Sequence, residues 1–175
     1  MEAFHLSQCM KSMAARIVQG IKALSRPVQS DGDEDINMPR LPRDSIKDLT
    51  IIYCKFENTK VTMPDWLRSP EEAIAPSPSD DDKTRKACEY QVETFLAQKA
   101  HFLLSLHCLR LVIHYHCVNS GLPLILGAHM DSHDISLRGL NVGARFVQVL
   151  VEAPFRSIKS IAVSTLPPTN QTVRR

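Results

Sequence analysis

Six of the seven histidines lie between His101 and His133, with Cys108, Cys117 and Asp131 among them. Imidazole, thiolate and carboxylate are the ligands zinc prefers, so this density first suggests a metal site. On extended backbone, His114 and His116 share one face of a strand, and His129, Asp131 and His133 share one face of another. A zinc site needs four converging positions, or three and a water, and no known ligand spacing is present. The expectation is therefore no metal ion and no other cofactor. Nucleophilic chemistry is no better supported. Cys108 beside His107 and Cys117 beside His116 would point to opposite faces of a strand, which separates thiol from base. GxSxG, P-loop and dinucleotide-binding patterns are absent.

A different chemistry is written near the N-terminus. Leu6, Met10, Met13, Ile17, Ile21 and Leu24 recur at intervals of three and four, which sets them along one side of a helix. Lys11 and Lys22 lie opposite, Arg16 lies on a flank, and no acidic residue occurs between Glu2 and Asp31. Such a basic amphipathic helix either docks on the protein's own core or serves a membrane interface or a partner's groove. A mitochondrial presequence is a further option, opposed by Arg16 being the only arginine in the first 25 residues. These nine residues are the candidate contact site.

The elements that must carry these residues follow from periodicity and turn chemistry. Residues 25–45 combine Asp31, Asp33, Glu34 and Asp35 with prolines, which predicts a disordered linker. The β-branched and aromatic run 49–56, the turn residues 57–59 and the return 60–63 predict a hairpin. Residues 64–74 begin a short helix that Trp66 anchors. A long helix is expected over 83–106, with Asp81 or Asp82 at its N-cap. Alternation over 108–118 then predicts a strand, followed by short strands at 124–128, 135–137, 145–151 and 157–164. Glycines Gly121, Gly127, Gly139 and Gly143 mark the turns between them. The expected fold is one α+β domain over 46–165 with a long central helix and a mostly antiparallel sheet. A helical arm at 1–24 precedes it, and a disordered tail at 166–175 follows.

Length and composition set the outer bounds. With 175 residues, 43% of them hydrophobic, the chain can bury one core. The net charge of +2 is mildly basic and demands neither nucleic acid nor acidic lipid as partner. Five cysteines without a CxxC pair predict reduced thiols in a cytoplasmic or nuclear compartment, and a protein that is not secreted. No apolar run is long enough to cross a bilayer, which leaves peripheral membrane attachment as the expected limit.

Two resemblances accompany this reading. Residues 124–134, LILGAHMDSHD, resemble the first metal-binding strand of zinc aminopeptidases, in which a His-x-Asp pair, here His129 and Asp131, ends a buried strand. The likeness implies a two-metal hydrolase, but Asn141 stands where the bridging aspartate belongs. Glu152 is the only carboxylate after Asp134. In size and layout the chain is similar to the matrix proteins of negative-strand RNA viruses, notably the short plant rhabdovirus kind. That profile implies a non-catalytic, virion-associated assembly protein that self-associates and links a nucleoprotein–RNA complex to an anionic membrane surface. A host or viral adaptor module is the alternative.

Overall fold

The computed structural model describes residues 2–25, 43–74, 81–127 and 131–153. Their order is α1 (Glu2–Leu24), α2 (Arg43–Glu57), a 3-10 turn (Asn58–Lys60), α3 (Asp65–Arg68), α4 (Pro70–Ala73), α5 (Asp82–Asn119), a 3-10 turn (Pro123–Leu126) and α6 (Ser132–Glu152). Among the described residues 89% are helical and none forms a strand, which overturns the expected α+β fold. The α+β domain that carried the likeness to viral matrix proteins goes with it. The expected linker falls mostly on 26–42, and the strand at 157–164 and the tail at 166–175 also lie outside the described residues.

The physical reason is continuity. No glycine or proline interrupts residues 43–63 or 81–120, so nothing breaks the backbone hydrogen-bond ladder once a helix has started. The supposed hairpin is therefore α2, whose buried Leu49 and Phe56 lie seven residues apart on one helical face. The supposed strand at 108–118 is the second half of α5, where Leu106, Ile113 and Cys117 are buried at helical spacing. The strands at 135–137 and 145–151 are parts of α6, and 124–126 belongs to a 3-10 turn. β-Branched residues favour strands only weakly, and a helix that buries them at the right spacing prevails.

The ends of α5 are well specified. Asp81 accepts a hydrogen bond from the Thr84 amide at 2.9 Å. Hydrogen bonding from the Thr84 side chain and amide holds the Asp81 carboxyl below the ordinary range. At the other end Gly121 adopts φ 64°. The Leu122 amide donates to the Cys117 carbonyl and the Gly121 amide to the Val118 carbonyl, a paired termination that needs a left-handed residue.

The chain divides into two compact units. Unit 1 comprises Met1–Met63 and Leu106–Phe146; unit 2 comprises Pro64–Ser105 and Val147–Arg175. In unit 1, α1 packs on α2, and α2 packs on the Pro123–Leu126 turn. Met10, Ala14, Ile17 and Ile21 of α1 are buried together with Leu49, Phe56, Leu106, Ile113 and Ile125. The close approach of α1 to α2 depends on Gly20, where an added Cβ would lie 2.5 Å from Leu49 Cδ2. In unit 2, Leu67, Ala100, Phe102 and Leu104 are buried, and Trp66 stacks at a tilt on Phe95 with ring centroids 4.7 Å apart.

Because Ile17 is fully enclosed in unit 1, Ile17→Asp places an unpaired charge among apolar side chains. We expect it to lower unfolding free energy by at least about 3 kcal/mol, a large fraction of a small protein's stability. Urea denaturation followed by far-UV circular dichroism measures this. An unchanged midpoint would show that α1 does not belong to this core.

Candidate anion-binding site

Of the nine candidate contact residues, Met10, Ile17 and Ile21 are buried and Leu6, Met13 and Leu24 are half-buried. Lys11, Arg16 and Lys22 are exposed on the outer side of α1. The apolar stripe thus faces the interior of unit 1, and only the basic flank meets solvent.

The metal-like residues are similarly dispersed. No group of three histidine, cysteine, aspartate or glutamate side chains among the described residues could hold a metal ion. Asp131, half of the aminopeptidase-like pair, instead caps α6 by accepting the His133 amide at 3.1 Å. His129 lies outside the described residues. Cys117 is buried, and burial pushes its thiol up to about 12, so it stays protonated at neutral pH.

What unit 1 does bring together is a polar pocket of about 230 Å³. Tyr53 and Glu57 of α2 form one wall, Arg110 and His114 of α5 a second, and Arg138, Asn141 and Arg145 of α6 a third. Each pair on α2 and α5 is spaced by four residues, and the α6 set by three and four, so each helix aims one face inward. Gly139 lets α6 approach α5 here, since an added Cβ would lie 2.8 Å from His114 Nε2.

The charges in the pocket are ordered by one ion pair. Arg110 Nε donates to Glu57 Oε1 at 2.9 Å, while its second nitrogen, Nη2, donates to Oε2, a two-pronged contact between α2 and α5. Burial raises the Tyr53 hydroxyl well above its ordinary value, and the adjacent Glu57 charge and hydrogen bond add to this. Arg138 Nη1 and Nη2 donate to the carbonyls of Leu126 and Gly127 at 2.8 and 3.1 Å, and its Nε lies 3.7 Å from Asp134. Arg145 has no ion-pair partner among the described residues. Burial and the Arg138 charge lower the His114 pKa, which favours its neutral ring. Among the described residues, three guanidinium groups therefore line a space that only one carboxylate lines, and that carboxylate is engaged by Arg110.

Sequence reasoning did not find this site. Arg138, Asn141 and Arg145 share a face only on a helix, because a strand would turn Arg138 and Arg145 to opposite sides. The helical spacing was the available signal. Nothing in the sequence links Glu57 to Arg110.

Unit 1 also holds a buried histidine outside the pocket lining. His107 is 3% exposed, and its Nδ1 has no hydrogen-bond partner among the described residues. Burial, then the charges of Arg110, Lys60 and Arg145, push its pKa down to about 4. The unfolded chain binds this proton near pH 6.5 and the folded chain only near 4, so stability falls as pH drops through that window. The loss is on the order of 3 kcal/mol and levels off below the folded value. Denaturation midpoints between pH 7.5 and 4 should therefore decline, and His107→Leu should flatten the decline. An equal slope in both proteins would contradict the assignment.

No family model matches the chain, and comparison with curated proteins and with solved structures finds no match either.

Proposed function

We propose that this is a non-catalytic binding protein whose unit 1 captures a phosphate group carried by a partner. The observation that supports it is the convergence of Arg110, Arg138 and Arg145 on one pocket that, among the described residues, a single carboxylate, Glu57, lines. Arg110 is neutralised by Glu57, and Arg138 is anchored by two carbonyls, which fixes the pose of its guanidinium. Arg145 brings a charge without a protein counter-ion among the described residues. Guanidinium groups match the planar and tetrahedral faces of oxyanions by paired N–H donation, so an oxyanion is the ligand this arrangement suits.

Binding is favoured over catalysis because two of the groups that could move protons are engaged: burial holds the Tyr53 hydroxyl protonated, and both Glu57 carboxylate oxygens accept from Arg110. The described residues contain no helix long and apolar enough to cross a membrane, so any membrane contact by these helices would be at the surface. Use of the α1 stripe for such contact would require Met10, Ile17 and Ile21 to leave their places against α2.

The test is calorimetric titration of the full chain with inorganic phosphate at low ionic strength. We expect saturable binding that Arg145→Gln weakens by roughly tenfold, the loss of one charge-assisted contact of ~1.4 kcal/mol. Added salt should weaken it further. Phosphate binding that is absent, or indifferent to Arg145→Gln, would refute the reading. Preference for acetate over phosphate would redirect it to a carboxylate partner.

A further inference from the structure

Helix α6 has two apolar faces. Ile135, Val142, Phe146 and Val149 lie on one and are half-buried. Leu137, Leu140, Ala144, Val147 and Val151 lie on the other, and the four large residues are 55%, 71%, 56% and 80% exposed. Isolated exposed apolar residues are ordinary on protein surfaces. Five at successive intervals of three, four, three and four are not, because that is the 3.5-residue repeat of a helix made to pack along another helix. The spacing belongs to one uninterrupted helix and is set by its backbone alone.

We propose that this face of α6 is a self-association seam that pairs with the same face of a second copy of the chain. The flanking positions argue for that occupant. In paired helices the residues beside the seam decide which partners are accepted, through attraction or repulsion of charge. Here they are Ser136, Asn141, Gly143, Gln148 and Leu150, none of them charged. An identical copy brings an identical flank, and an uncharged flank meets itself without repulsion. A helix built for a lipid surface carries lysine or arginine along its margins. The α6 arginines, Arg138 and Arg145, face the phosphate pocket instead.

Two heptads would be marginal for a pair of isolated helices. In this protein α6 is already formed, with Ile135, Val142, Phe146 and Val149 of its other face half-buried, so association need not order it. Small Ala144 at the middle of the seam lets two backbones approach closely. The pairing is therefore concentration-dependent rather than obligate, and it does not depend on the pocket being occupied.

Sedimentation equilibrium on the full chain tests this, over roughly 1–200 μM, the range in which pairing of modest affinity is visible. The expected result is a mass that rises from one chain toward two. Leu140→Glu and Val147→Glu should each hold it at one chain, with far-UV circular dichroism unchanged because both positions are exposed. Arg145→Gln should still pair. A single-chain mass at every concentration would overturn the proposal, as would a dimer that survives both glutamate variants. So would a monomer that binds phosphatidylcholine–phosphatidylserine vesicles through Leu140 and Val147, which would make the face a lipid contact.

Discussion

The Glu57–Arg110 ion pair ties α2 to α5, and the chemistry of unit 1 is arranged around it. Both side chains are mostly withdrawn from water, at 30% and 16% exposure. Removing either one leaves a poorly solvated charge behind, which makes the pair far more consequential than a surface salt bridge. The two-pronged geometry fixes the roll of α2 against α5. It also cancels the charge of Glu57, the one carboxylate among the described residues that lines the pocket, while burial first and Glu57 second keep the neighbouring Tyr53 hydroxyl protonated. Arg138 is paired in turn with Asp134, so Arg145 gives the pocket its positive character.

That electrostatic arrangement presupposes a particular helix packing. α2 is held on its other side by α1, whose buried residues Met10, Ala14, Ile17 and Ile21 repeat at four, three and four. Two glycines of unit 1 act by what they leave open. Gly20 admits Leu49, and Gly139 admits the His114 ring. Interior helical glycine costs roughly 1 kcal/mol relative to alanine, and here the close approach offsets that cost. The packing thus brings Glu57 of α2 within hydrogen-bonding distance of Arg110 of α5, residues far apart in the sequence.

The sequence was legible where a pattern had one interpretation. The intervals in residues 6–24 permit only a helix, and α1 spans Glu2–Leu24. Asp81 stands where a capping residue belongs, and it caps α5. The misreadings arose where two periods coexist. Residues 109–117 alternate in polarity, yet they also place Leu106, Ile113 and Cys117 on one helical face. Gly139 resembles a turn residue because spacing alone does not reveal that the His114 ring fills the missing side chain's place. Once 135–151 was divided into strands, both the arginine face and the exposed heptad of α6 were hidden together. The partnership of Glu57 with Arg110 joins residues far apart in the sequence, and only the folded chain reveals it.

A double-mutant cycle on Glu57→Gln and Arg110→Met, read by chemical denaturation, addresses that partnership directly. If the pair organises unit 1, each single substitution destabilises the protein, and the double substitution costs less than their sum. The coupling should be about 1–3 kcal/mol, as for contacting residues in one network. Effects that add to within about 0.5 kcal/mol would contradict it, and the pocket would then owe its shape to apolar packing alone.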